Sequence, residues 1–236
     1  MVQTFSNRQS QAEKIAAVKK EKIVIWGASG HALVVANILK LQGQYDIAGY
    51  LDSINTNRKN ESFNDSIILG GEEQLEILKD QGIQHILFGF GDCQARLRLG
   101  EKLKALGFFM PRAIHPKAII APDAKIEEGV VINAGAVIDT AVHIGESAIV
   151  GLNASISHES IIEAGVHICP GVHLAGKVTI GRGTWVGIGT VVSHRVHIGQ
   201  GCVIGAGAVV VNDIPDSVVA VGVPAKVLKK VEGNEI

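Results

Sequence analysis

Ile156-Ser-His-Glu-Ser-Ile-Ile162-Glu-Ala-Gly-Val-His-Ile168 places an aliphatic residue at every sixth position. Counted outward in both directions, the same step of six meets Ile, Leu or Val without a gap from Ile114 to Val210, seventeen times in all. An α-helix would space its apolar residues by three or four, and a lone strand by two. A strict period of six fits neither and marks a solenoid of hexapeptide turns. Three hexapeptides close one triangular coil, so residues 18 apart should stack. The repeated aliphatic fills the prism, and its chain neighbours point outward.

Composition agrees. Of 236 residues, 47% are hydrophobic but only 4% aromatic, as a narrow prism of Ile, Val and Ala requires. The 28 glycines suit tight corners. A formal charge of −1 gives no basic field for nucleic acid or an anionic membrane. Cys93, Cys169 and Cys202 lack metal-ligand or disulfide-framework spacing and read as reduced thiols of a cytoplasmic protein. The first 20 residues have no apolar signal-peptide core. No apolar run reaches the ~18 residues of a transmembrane helix.

The chain divides near residue 112. Residues 1–20 read as a polar N-terminal arm. Residues 21–112 alternate strand and helix: strands at Lys22–Trp26, Ile47–Leu51 and His85–Phe88, helices at Ala32–Leu41, Glu72–Lys79 and Ala95–Leu106. That alternation predicts a small parallel α/β sheet, Rossmann-like, with ligands beyond the carboxyl ends of its strands. Those ends carry Gly27-Ala-Ser-Gly-His31, Asp52 and Gly91-Asp92. The dinucleotide fingerprint G-x-G-x-x-G is absent, which disfavours NAD. A glycine turn opening a helix suits the phosphates of a nucleotide. Residues 113–236 form the solenoid and a C-terminal tail.

Seven of the nine histidines lie in the solenoid. His143, His167, His173 and His197 each precede an inward position and should face outward. His158 falls near a corner. Stacking by 18 yields one column of Thr140, His158, Gly176 and His194, and another of Ile149, His167, Trp185 and Val203.

Several of these stretches are similar to a known family. Ile23-Val-Ile-Trp-Gly-Ala-Ser-Gly-His31, Leu51-Asp52, Gly89-Phe-Gly-Asp92 with Arg96, Ser157-His-Glu159, His167 through Gly176, and Gly222-Val-Pro-Ala-Lys226 carry the likeness. The chain resembles the NeuD/PglD-type sugar O-/N-acetyltransferases over about residues 21 to 230. The resemblance implies an α/β Rossmann-like lobe followed by an all-β left-handed parallel β-helix. It implies His158 as general base with Glu159 as its partner. It places acetyl-CoA against His167, Gly176, Ile188, Gly205 and Ala206, and the nucleotide part of the acceptor against Ser29, Gly30, His31, Asp52, Ser53 and Gly91. Two departures concern acceptor identity: Ser157 stands where relatives often carry an acidic residue, and Gly151 where they often carry Asn.

The chemistry needs no metal. A thioester is already activated, so the protein must take a proton from the nucleophile and stabilise an oxyanion. Histidine suits the first task, with an unperturbed pKa of ~6.5. The Gly176 amide, one coil above His158, suits the second. A contact between adjacent residues His158 and Glu159 requires corner geometry. The expected activity is acetyl-CoA-dependent N-acetylation of a nucleotide-activated amino sugar of the UDP-4-amino-4,6-dideoxy type, for surface glycans. O-acetylation of sialic acid or another sugar is the alternative. A zinc-dependent solenoid carbonic anhydrase stands further off, on His158 and His194 two coils apart, as does a noncatalytic scaffold. A flat-sided prism has no cleft of its own, so a homotrimer with sites between subunits is expected.

Overall fold

The computed structural model describes residues 20–231. The arm read over residues 1–20 lies outside that range except for Lys20. The first lobe runs β1 (Glu21–Trp26), α1 (Gly30–Gln42), β2 (Tyr45–Leu51), β3 (Ser62–Phe63), β4 (Ser66–Gly70), α2 (Leu75–Asp80), β5 (His85–Phe88) and α3 (Cys93–Ala105). The sheet order is β3-β4-β2-β1-β5. All pairings are parallel except the β3–β4 hairpin. Ile23 to Trp26 of β1 are all buried, the continuous apolar run of a parallel strand covered on both faces. The hairpin was not legible in the sequence. Its turn sits at Asn64, φ 52°, and within β4 only Ile68 and Gly70 are buried. The helical reading of 72–79 divides into a 3-10 turn, Glu72–Gln74, and α2.

From Ala113 to Val210 the chain is a parallel β-helix of two-residue strands in three sheets, the solenoid the period predicts, and a final antiparallel pair, Val218–Val221 with Lys226–Lys230, extends one of the sheets. Face I holds the strands from Ala113–Ile114 to Val203–Ile204, face II those from Ile119–Ile120 to Val209–Val210, and face III those from Lys125–Ile126 to His197–Ile198. Each strand pairs with residues 18 further on, as in Ile149↔His167↔Trp185. From Ile132 onward every sixth aliphatic is buried. A second inward row lies two residues earlier: Val130, Ala136 and so on to Ala208, all buried and mostly small. Residues i and i+2 of a strand share a face, so each side of the triangle sends one large and one small side chain to the axis. The polar members of the small row pair with backbone: Thr184 Oγ1 donates to the Gly199 carbonyl at 2.7 Å.

Corners repeat with the same period. From Ile126 to Ile204, the third residue after each inward aliphatic has positive φ, including Glu159 (57°) and Lys177 (62°).

The lobe covers face I. Val35, Ala36 and Leu39 of α1 are buried in one cluster with Ala113, Val131 and Ile149 of the prism. Helix α3 lies along the edge between faces III and I, where Leu97 occupies the space beside Gly165 and Gln94 the space beside Gly183. Arg96, 2% exposed, fastens the two parts. Its Nε donates to the Ser147 carbonyl at 2.9 Å and its Nη2 to the Gly165 carbonyl at 2.8 Å. Its Nη1 donates to the Gly91 carbonyl. No helix among the described residues is long and apolar enough to cross a membrane.

Candidate active site

Two groups of polar residues stand out, on different parts of the chain. The first lies where the lobe's strands end. Gly27 has φ 130°, and a Cβ there would meet the Gly89 carbonyl oxygen at 2.7 Å; this glycine serves the backbone. Gly30 differs, because a Cβ there would meet nothing within 4 Å. Ser29, at the N-cap of α1, makes no capping bond. The first turn of α1 thus has no capping side chain, and its first residue borders open space, an arrangement that favours an anion.

Asp52 is more heavily committed than its sequence position indicated. Its Oδ1 accepts from the Ile54 and Asn55 amides at 3.0 and 2.9 Å. Its Oδ2 accepts from Asn55 Nδ2 at 3.2 Å and from Arg58 Nη1 at 3.1 Å. Burial raises its carboxyl pKa, but the bonds from Asn55, Ile54 and Arg58 together hold it below the usual carboxylate range. Arg58 Nη1 also donates to the Ala28 carbonyl at 2.9 Å, joining this loop to the glycine turn. Ser53 Oγ accepts from Trp26 Nε1 at 3.1 Å. Arg58 was missed from sequence, since nothing in its spacing marks it.

His31 and His167 meet at the junction of lobe and prism, with ring centroids 6.3 Å apart. His167 Nδ1 lies 3.3 Å from the Gly91 carbonyl. His31 Nε2 is buried with no partner among the described residues. His167 does point outward from the prism, but the lobe covers the face it is on. Burial, then the nearby Arg96 charge, lowers the His31 pKa to about 4. Burial, Arg96 and His31 lower that of His167 to about 3. Both rings are neutral in the folded protein at pH 5, whereas the unfolded chain binds protons there. Stability is therefore complete above about pH 6.5 and declines as pH falls toward 4. The melting temperature should fall between pH 7 and pH 5, and fall less in the His31→Asn/His167→Asn double variant. Equal losses in both proteins would contradict this.

The second group sits at the edge between faces II and III. His158 and Glu159 occupy a corner, and the left-handed backbone of Glu159 turns its side chain back toward its neighbour. His158 Nδ1 lies 3.0 Å from Glu159 Oε2. The geometry that the sequence left open is thus present. The other carboxylate oxygen, Oε1, is 3.4 Å from Lys177 Nζ. The Glu159 carboxyl is held below its ordinary range, first by the hydrogen bond to His158. Directly above, Gly176 makes room for the imidazole: a Cβ there would stand 2.5 Å from His158 Nε2. The Gly176 carbonyl accepts from the Arg195 amide, while its own N–H has no acceptor among the described residues. An imidazole with a carboxylate on Nδ1, a free Nε2 and an unused amide beside it can remove a proton and stabilise a nearby oxyanion.

Ile188, 58% exposed, stands on a third location, the edge between faces I and II. Gly205 and Ala206 lie one coil above it, where the Gly207 amide donates to the Ile188 carbonyl at 2.8 Å. Within one chain the structure brings His158, Glu159 and Gly176 together, and Ser29, Gly30, His31, Gly91 and His167 together. It does not join those two sets, nor either to the Ile188 edge by any contact. Among the described residues, no three His, Cys, Asp or Glu side chains of one chain gather into a group able to hold a metal ion.

Residues 22–103 match the PglD N-terminal domain family, and residues 177–212 match the bacterial transferase hexapeptide family of six repeats. A crystal structure of a perosamine N-acetyltransferase variant from Caulobacter crescentus, in complex with CoA and GDP-perosamine, is similar with a TM-score of 0.84. It is 35% identical, over 89% of this chain and 97% of that one. The acetyltransferase domain of PglB from Neisseria gonorrhoeae, in complex with acetyl coenzyme A, is 35% identical with a TM-score of 0.82. That likeness covers 89% of this chain and 100% of that one. A galactoside O-acetyltransferase of Escherichia coli is 40% identical over 58 residues, a match spanning 25% of this chain and 29% of that protein.

Proposed function

The chain belongs to the NeuD/PglD-type sugar O-/N-acetyltransferases, with their α/β lobe and left-handed β-helix, and from that premise we propose that it transfers acetyl from acetyl-CoA to the amine of a nucleotide-linked amino sugar. The observation that carries this reading is the His158–Glu159–Gly176 corner. His158 Nε2 takes the proton as the sugar amine attacks the thioester carbonyl. Glu159, on Nδ1, fixes the tautomer and stabilises the imidazolium. The Gly176 amide donates to the oxyanion, and collapse of the tetrahedral intermediate expels the CoA thiolate. His158 then holds the proton that the thiolate needs to leave as a thiol.

The lobe supplies the acceptor's address. The amides opening α1 face the diphosphate, and Gly30 leaves space for its approach. Asp52, with its oxygens occupied from within, shapes the Ser53–Arg58 loop that borders the nucleotide. The neutral His31 ring supplies a hydrogen-bonding group at its inner end, beside His167, whose expected contact is acetyl-CoA. The Caulobacter relative bound to GDP-perosamine supports an activated amino sugar and makes GDP the base to test beside UDP. The likeness to a galactoside O-acetyltransferase, over 58 residues, supports the alternative, O-acetylation.

Assembly follows from the separated parts. The catalytic corner and the Ile188–Ala206 edge flank opposite sides of face II, while the lobe occupies face I. Three chains about a threefold axis, with face II inward, bring the I–II edge of each against the II–III edge of the next. The three parts then meet in three grooves, each shared by two subunits. Face II suits burial: Ile119, Val137 and Val191 are 66%, 40% and 44% exposed in the single chain. Light scattering should report three times 24.9 kDa; a fully active monomer would contradict the shared site.

Thermal shift against UDP-, dTDP-, GDP- and CMP-sugars, with and without acetyl-CoA, tests the reading. One nucleotide class should stabilise the protein, and no response to any of them would contradict the acceptor assignment. Gly30→Val should raise the acceptor's KM several-fold while acetyl-CoA affinity and melting temperature stay unchanged, because its side chain enters open ligand space. Equal damage to both substrates would make the turn merely structural.

A further inference from the structure

Face II carries one polar pair in an otherwise apolar column. Ser155 Oγ and His173 Nδ1 are 2.8 Å apart, one coil above another. Val137 lies one coil below the pair and Val191 one coil above. His173 is exposed, and its Nε2 has no partner among the described residues. Neither residue belongs to the catalytic corner, which lies at the edge of this face. The pair has no use in acetyl transfer as derived above.

If face II turns toward a threefold axis, an inference that rests on the proposed trimer, each chain presents its His173 to two copies of itself. Three identical imidazoles then approach one point, each with Nδ1 tied to a serine hydroxyl and Nε2 free. An imidazole ligand held by a hydrogen bond on its other nitrogen is the usual arrangement around a bound metal. Three neutral nitrogens and one water complete the four-coordinate set that Zn2+ prefers. The surrounding valines would exclude bulk water. We propose that the three Ser155–His173 pairs form a divalent transition-metal site on the trimer axis, one ion per three chains, that fastens the assembly and takes no part in the reaction. His173 is the ligand, and Ser155 positions it. No single chain holds more than one of the three ligands, so the site is incomplete without the partner copies.

The test uses the full untagged chain, stripped with a chelator, re-equilibrated with Zn2+ and freed of excess. Light scattering gives the assembly and elemental analysis the metal content. The expected result is a trimer with one Zn2+ per three chains. Co2+ in its place should give the visible absorption of a four-coordinate site. His173→Ala should lose the metal and keep acetyl transfer under conditions where the trimer persists. His173→Gln, which preserves bulk, serves if the alanine variant does not assemble. Ser155→Ala should weaken Zn2+ binding by about 10–100-fold. A wild-type trimer without tightly bound metal overturns the axial site and leaves the trimer standing. So does metal at one per chain, or metal insensitive to both His173 variants. A wild-type monomer overturns the trimer and the axial site with it.

Discussion

His158→Ala is expected to lower kcat for acetyl transfer by about 10²–10⁴-fold, the usual contribution of a positioned general base. Acetyl-CoA should bind the variant as well as it binds the wild type, because a base acts on the chemical step and not on cofactor affinity. Glu159→Gln should fall less far. Its amide can still orient the ring on Nδ1, where the carboxylate stands 3.0 Å away, but it no longer stabilises the imidazolium. Steady-state rates combined with calorimetric titration of acetyl-CoA check both variants. Near-normal turnover by His158→Ala would remove the histidine from the mechanism.

Gly176→Ala is the second large effect, with an expected loss of at least about 10²-fold in kcat. Its Cβ would lie 2.5 Å from His158 Nε2, the atom that must receive the proton. The three atoms nearest this Cβ all belong to the imidazole of His158, and Gly176 has no positive φ. The prism should therefore fold unchanged, so the melting temperature should stay within a degree or two of wild type while the ring is displaced. A variant that keeps its rate would show that His158 Nε2 need not occupy this position. A variant that unfolds would show that the coil, and not the ring, needed the glycine.

The solenoid was legible because its signal is one-dimensional. A period of six, sustained from Ile114 to Val210, can only describe stacked coils, and the observed pairings 18 residues apart follow from it. The second inward row was not read, because alanine, serine and threonine at Ala154, Ser160 and Thr184 look like any small residues. The β3–β4 hairpin escaped because a two-residue edge strand beside a five-residue strand with two buried positions has no period to display. Histidine placement was half legible. Sequence assigns His167 to the outside of the prism, which is correct, but cannot show that the lobe folds down over that face. Such a contact joins residues as distant as Gly91 and His167. The His158–Glu159 contact likewise depends on the left-handed backbone at Glu159, which no propensity would assign to a glutamate. The corner repeat enforces it.

Acetyl transfer to a nucleotide-linked amino sugar is the central claim, and product mass tests it most directly. The wild-type protein is incubated with acetyl-CoA and each of a GDP-, UDP-, dTDP- and CMP-linked amino sugar, and the sugar nucleotide is recovered for mass spectrometry. The account predicts that one nucleotide class gains a single acetyl group at nitrogen, in step with release of CoA, and that His158→Ala slows the gain by about 10²–10⁴-fold. Acetylation of a free galactoside or sialic acid hydroxyl, with every nucleotide amino sugar left unchanged, would contradict it.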